Sequence, residues 1–205
     1  MNMEGVRKGL LIVVSGPAGS GKGTLMKIIM RKSSDFVLSV SATSRPILKR
    51  EREGENYFFI TREQFEERIS SGEMLEYTEY CGNYYGTPKK WAMDAMESGK
   101  HVLLEIEVNG GAQIKKLYPD AVLVMVVPPN AALQEQRLRR RGRDSEESIQ
   151  KRLTRAKEEI EIMKSYDYVV INEDGKAEKA AKDIMDIARA EQCAVSRNLD
   201  LADKF

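Results

Sequence analysis

Short apolar runs alternate along the chain with stretches of helical spacing. Leu10–Ser15, Val102–Ile106, Ala121–Val127 and Tyr168–Ile171 are nearly continuous in Val, Ile and Leu. That is the pattern of strands covered on both faces. Helical periodicity over about 22–32, 88–98, 130–141, 145–165 and 176–192 predicts helices between them. Strand–helix alternation of this kind specifies an α/β fold, a parallel sheet with helices on both faces.

Residues 36–87 break that pattern. Phe36–Ser41, Tyr57–Ile60 and Leu75–Tyr85 alternate or carry aromatics, and Gly82-Asn83 marks a turn. One short helix interrupts them, opened by a Thr61/Gln64 capping box and ended by Ser70-Ser71-Gly72. The stretch reads as a small, mainly antiparallel insertion. A second capping box, Asp144 with Glu147, opens the long helix after the basic segment Arg137–Arg143, and Gly142 between the two helices suits a hinge.

Charge and composition narrow the class. The 205 residues hold 33 Lys+Arg and 32 Asp+Glu, for a net charge of +1. That balance argues against attachment to nucleic acid or membrane by bulk charge. Cys81 and Cys193 build neither a disulfide framework nor a metal-ligand spacing, which fits a reducing, cytoplasmic setting. Arg7 and Lys8 precede an apolar run, Leu10–Val14, too short for a signal sequence. No apolar stretch is long enough to span a bilayer.

The first strand runs into Gly16-Pro17-Ala18-Gly19-Ser20-Gly21-Lys22-Gly23-Thr24, and a helix follows. This is G-x-x-x-x-G-K in the strand–loop–helix setting a phosphate loop requires. Its glycines turn successive N–H groups inward around an anion, the helix start adds its dipole, and Lys22 reaches the β- and γ-phosphates. Gly23 stands where the general pattern has a metal-binding hydroxyl, so Thr24 is assigned to phosphate. Mg²⁺ would then be held mainly through phosphate oxygens and water, with carboxylates behind. The loop alone leaves the acceptor open, since GTPases, ATPases and small-molecule kinases share it.

From about Gly9 to about Ala190 the chain resembles guanylate kinase. The resemblance is carried by Ser39-Val40-Ser41-Ala42-Thr43-Ser44-Arg45, Gly54-Glu55-Asn56-Tyr57, Leu75-Glu76-Tyr77, Gly82-Asn83-Tyr84-Tyr85-Gly86-Thr87 and Glu105-Ile106-Glu107. Arg141-Gly142, Glu147-Ser148-Ile149 and Arg152 extend it. It implies three parts in one domain: a core of 1–35, 88–130 and 166–193, a GMP-binding insertion of 36–87, and a helical lid of 131–165, followed by a tail of 194–205. It also implies Mg-dependent transfer of the ATP γ-phosphoryl group to GMP, and to dGMP, in purine nucleotide metabolism. Ser41 and Thr87 would donate to guanine O6, while Glu76 and Glu107 accept from N1–H and the 2-amino group. Arg45, Tyr57 and Tyr85 would hold the GMP phosphate. Arg137, Arg141 and Arg152 would surround the transferring group, and Asn172 would meet adenine.

The chemistry agrees with these roles. Guanine shows two adjacent donors and one acceptor, which carboxylates and a hydroxyl match; adenine would leave them unpaired. Glu105 and Glu107 sit at the C-terminal end of an apolar strand, where α/β proteins bind ligands, and Glu105 suits orientation of Mg²⁺-bound water. Other readings stay open. Tyr57, Tyr84 and Tyr85 also suit plain strand aromatics, Glu76 could face solvent, Asn172 could form a turn, and His101 reads as structural. Of the five arginines from Arg137 to Arg143, Arg139, Arg140 and Arg143 suit a solvated helix face.

Two positions depart from the family pattern. Leu48 stands where a second phosphate-binding arginine is expected, with Lys49 or Arg50 as candidates to replace it, and Arg50 itself stands at a usual glycine. The alternatives to ATP:GMP transfer are another nucleoside monophosphate kinase and a non-catalytic guanylate-kinase-like binding module. The matching carboxylates argue against the first. The intact loop, and a length that leaves no room for partner domains, argue against the second. Oligomeric state is open.

Overall fold

The architecture, a computed structural model, describes residues 7–80, 82–140, 142 and 145–204. The chain opens with β1 (Leu11–Ser15), fully buried, and α1 (Lys22–Lys32). β2 (Phe36–Leu38), β3 (Ala42–Thr43), β4 (Phe58–Phe59), α2 (Arg62–Ser70), β5 (Met74–Tyr80) and β6 (Asn83–Pro88) follow. Next come α3 (Lys89–Glu97), β7 (His101–Glu105), α4 (Val108–Leu117) and β8 (Val122–Val127). The chain continues through α5 (Ala131–Arg140), α6 (Glu146–Glu161), β9 (Tyr168–Ile171) and α7 (Ala177–Gln192), and ends in short 3-10 turns.

A five-stranded sheet in the order β2-β7-β1-β8-β9 forms the core, and every pairing in it is parallel. Successive side chains of β1 point to opposite faces. Ile12 and Val14 pack with Leu25, Ile29 and Ile184 on one side. Leu11 and Val13 pack with Leu104, Ile114 and Leu123 on the other. Burial on both faces is why these strands are apolar without alternation, and each fully buried aliphatic side chain contributes roughly 1.5–3 kcal/mol. From β1 the chain leaves towards β2, and later strands return on both sides of β1. The loop after β1 therefore opens at a switch point, where open α/β sheets bind ligands.

The second sheet, β4-β3-β6-β5, is antiparallel except for the β3/β4 pair. Its small core is Ala42, Phe65 and Met74, with Tyr84 packed against it. The helix above it begins with the expected capping box: Thr61 Oγ1 accepts from the Gln64 N–H, and the Gln64 side chain accepts from the Thr61 N–H.

Four expectations are corrected. Phe36–Leu38 pairs with β7 in the core sheet, so the first strand assigned to the insertion belongs to the core. A helix the sequence pattern did not predict, α4, follows β7. Its Asn109-Gly110-Gly111 sequence argues against a helix, since glycine costs about 1 kcal/mol there. A Cβ at Gly111 would lie 2.3 Å from the Tyr166 hydroxyl oxygen, so close packing sets the residue and overrides propensity. The helix expected to 165 is α-helical only to Glu161 and tightens into a 3-10 turn over Ile162–Ser165. Finally, α6 is capped by Ser145, which accepts from the Ser148 N–H. Asp144, expected as the cap, lies outside the described residues, as do Cys81, Arg141 and Arg143. Among the described residues no helix is long and apolar enough to cross a membrane.

Candidate active site

At the end of β1 the chain turns through Gly16–Gly21 into α1. Gly21 is the N-cap with φ 92°, no side chain caps the helix, and its first turn holds no acidic residue. The first-turn amides and the positive end of the helix are left facing the loop, as an anion site requires. A Cβ at Gly21 would come within 2.4 Å of Asn172 Nδ2, so the position tolerates only glycine. Lys22 folds over the loop, its ammonium donating to the Gly16 carbonyl, with the Pro17 carbonyl 3.4 Å away. Thr24 is exposed, and Ser20 is buried with its hydroxyl unpaired among the described residues.

Two buried amides brace the loop from behind. Gln134 of α5 donates to the Ala18 carbonyl at 2.8 Å, and Asn172, just past β9, donates to the Ser20 carbonyl at 2.8 Å. Asn172 is 4% exposed, so its amide supports the loop rather than facing an open surface. The Asn172 backbone carbonyl accepts from Arg137 Nη2 at 2.9 Å, and Arg137 Nη1 is buried with no partner among the described residues. An orphaned guanidinium N–H this close to a phosphate loop fits an absent anion.

A cleft of ≈ 980 Å³ runs from the loop to the second sheet. Gly16, Ala18 and Lys22 line one end, and Ser41, Tyr57, Glu76 and Tyr85 the other. Glu105 and Glu107 lie between them, with Arg152 on the α6 wall. The fold thus brings together residues spread from 16 to 152. Arg45, Thr87, Arg137, Asn172 and the remaining loop residues are not among those that line it.

Glu76 is buried and accepts from the Thr87 hydroxyl at 2.8 Å. Burial raises its carboxyl above the ordinary range, and the Thr87 bonds offset only part of that. Arg45 donates to Glu51 Oε1 at 2.8 Å and to the Pro46 carbonyl at 2.7 Å. Its Cζ lies 5.6 Å from the Tyr57 ring centre and 5.8 Å from that of Phe59, and the Tyr57 and Tyr85 rings meet edge-on at 5.9 Å. The arginine and the two phenols assigned to the acceptor phosphate therefore lie together. Burial raises the Tyr57 phenol, so it stays a donor. Tyr84 stacks on Phe65 at 5.2 Å and is structural. Leu48, Lys49 and Arg50 are exposed, and neither cation lines the cleft.

For Mg²⁺, the fit lies beside Gly23. A Cβ there would sit 3.7 and 3.8 Å from the two Glu105 oxygens. One carboxylate thus faces the start of α1, and no cluster of three metal-ligating residues occurs among the described residues. The donor set suits an ion carried by phosphate oxygens and water rather than a protein cage.

Other expectations have plain outcomes. His101 is buried, its Nδ1 accepting from the Leu10 N–H at 3.1 Å, and burial lowers its pKa; it is structural. Arg139 pairs with Glu135 and Glu146 on the surface of α5 and α6. The sequence reading missed Gln113, Ser148, Lys151 and Arg155, which also line the cleft. Gln113 lies on the unpredicted α4. The other three share the α6 face of Arg152 at helical spacing, a signal that could have found them.

A phosphate loop at the sheet's switch point, opening on a cleft with carboxylates and an arginine clamp, defines a P-loop kinase. Residues 8–191 match the guanylate kinase family. The chain is 47% identical to a guanylate kinase of Clostridioides difficile (strain 630), covering 94% of this chain and 93% of that one. Identity to the guanylate kinase of Lactococcus lactis is also 47%, with the same coverage. A crystal structure of guanylate kinase from Anaplasma phagocytophilum superposes with a TM-score of 0.69 at 31% identity, covering 93% of this chain and 90% of that one. Shikimate kinase from Acinetobacter baumannii, at 15% identity and TM-score 0.50, shares the fold alone. The chain belongs to the guanylate kinase family.

Proposed function

We propose that the protein transfers the γ-phosphoryl group of ATP to GMP, and to dGMP, giving ADP and the diphosphate. One observation carries the reading: the start of an uncapped phosphate-loop helix and the buried Glu76, bonded by the Thr87 hydroxyl, line one cleft. The loop amides and Lys22 take the ATP phosphates. Glu76 accepts from guanine N1–H and Glu107 from the 2-amino group. Ser41 donates to O6. Thr87 donates its hydroxyl to Glu76 and orients that carboxylate in the free site, and turns the same O–H to O6 when guanine binds. Arg45, Tyr57 and Tyr85 hold the acceptor phosphate. Arg137, Arg141 and Arg152 stabilise charge spread over the transferring oxygens. Asn172 braces the loop under the nucleotide. Glu105 would hold Mg²⁺ through water, and the ion would supply neutralisation of phosphate charge. No side chain acts as nucleophile, so positioning and water exclusion supply the rate.

The test is ADP release with GMP, dGMP, AMP, CMP and UMP as acceptors. We expect GMP to lead and AMP to lag by about 10³-fold or more, since adenine leaves buried carboxylates unpaired. Turnover that prefers AMP would overturn the assignment.

A further inference from the structure

Glu107 is the N-cap residue of α4 yet makes no capping bond with its side chain, which is 70% exposed on the cleft rim. A carboxylate that exposed samples several rotamers, and a base-reading group needs one. Arg155 supplies the constraint. Its Nη2 donates to Glu107 Oε2 at 2.6 Å. Its Nε donates to Glu159 Oε1 at 3.0 Å, and the Glu159 side chain is only 16% exposed. Arg155 is thus anchored on its own helix by one carboxylate and reaches from α6 to the other at the start of α4. The backbone beneath is tied the same way, with the Tyr166 hydroxyl donating to the Val108 carbonyl at 3.2 Å.

We propose that Arg155 is a specificity-positioning residue: it holds Glu107 by Oε2 and leaves Oε1 to accept the guanine 2-amino group. The proposal rests on the reading of Glu107 given above. Among the described residues Arg155 is the bonded partner of the Glu107 carboxylate, and a carboxylate oxygen has acceptor capacity to spare. Arg152, assigned to the transferring phosphoryl group, lies three residues away on the same face of α6. Seating the base and placing that arginine are therefore linked through one helix.

The test compares GMP with IMP, which keeps O6 and N1–H but lacks the 2-amino group. Arg155→Ala should cut the GMP:IMP ratio of kcat/KM about tenfold, mostly through the KM for GMP. Arg155→Lys keeps a donor at that place and should restore part of the ratio. Equal losses on both substrates would mean a merely structural role and would overturn the proposal. Glu107→Gln is the control on the underlying reading and should collapse the ratio. If it does and Arg155→Ala does not, the positioning role alone fails. If Glu107→Gln leaves the ratio unchanged, the reading of Glu107 fails and the positioning role with it.

Discussion

At the donor end of the cleft, two buried amides, Gln134 and Asn172, bond to loop carbonyls and hold the loop open without a ligand. At the acceptor end, the groups assigned to GMP are held by other side chains: Glu76 by Thr87, Arg45 by Glu51, and Glu107 by Arg155. The loop backbone in the first arrangement needs no reorganisation to meet a phosphate; only the Lys22 ammonium must leave the Gly16 carbonyl. In the second, Thr87 and Arg45 must exchange or share internal partners when GMP binds, whereas Arg155 keeps Glu107, so part of the binding energy goes into replacing bonds already made. The gain is selectivity. A purine that cannot repay those bonds leaves the site in its self-paired state.

Removing Lys22 tests the preformed end most severely. Lys22→Ala should lower kcat about 10³-fold, the scale of losing a donor aimed at developing charge. The Lys22 bonds go to loop carbonyls that Gln134 and Asn172 leave in place, so thermal unfolding should not shift. GMP binding by calorimetry should persist, because the acceptor groups are separate. Loss of GMP binding along with turnover would mean that the two ends are not independent.

Glu76→Gln tests the self-paired end and should cost less, about 10²-fold in kcat/KM for GMP. An amide offers the wrong group to N1–H, whereas the Thr87 bond survives. The pH dependence has a definite sign. Burial raises the Glu76 carboxyl above its usual range, so it gains a proton at a higher pH than an exposed glutamate. GMP turnover should therefore fall on the acid side while ordinary carboxylates are still ionised, and Glu76→Gln should remove that limb. Stability runs the other way. A carboxyl with a raised native pKa binds more protons folded than unfolded, so it lowers stability as pH rises through the native value. At neutral pH Glu76→Gln should raise the melting temperature by about 2–4 °C. A lower melting temperature would mean that the Thr87 bond outweighs the burial cost.

The contrast between the two ends also decided what the sequence could reveal. The donor end is local: strand, loop and helix follow one another, and Gly16 to Thr24 carry the geometry in nine consecutive positions. Its braces are not local. Asn172 lies 152 residues from Ser20, and no spacing links them. The acceptor groups were legible through chemistry and family resemblance, but Glu51 and Arg155, which hold them, were not, because a loop carboxylate and an arginine on α6 resemble ordinary solvated charges. α4 escaped because helix propensity counted against Gly110 and Gly111, whereas the packing of Tyr166 selected at least the second. Phe36–Leu38 was misplaced because its three residues are too few for periodicity to show which sheet they join.

Leu48 gives the smallest expected effect and separates two accounts of the acceptor phosphate. Its N–H donates to Glu51 Oε2 at 2.9 Å, while its side chain projects outward and 59% of the residue is exposed. The same Glu51 holds Arg45, so the one cation in the clamp is shared with a carboxylate. On one account Lys49 or Arg50 swings in when GMP binds; both are exposed and neither lines the cleft. On the other account Arg45 and the two phenols suffice. Leu48→Arg keeps the backbone bond and adds a second cation. If the clamp is short of charge, the KM for GMP should fall about threefold to tenfold with kcat nearly unchanged, as for uniform binding. The gain should shrink with added salt, as an exposed charge requires. Lys49→Ala and Arg50→Ala should each raise KM by no more than about threefold on the same scale. If Leu48→Arg changes nothing while either alanine variant raises KM tenfold, a neighbouring cation already fills the place. The acceptor end would then be assembled by GMP itself rather than held ready by Arg45 and Glu51.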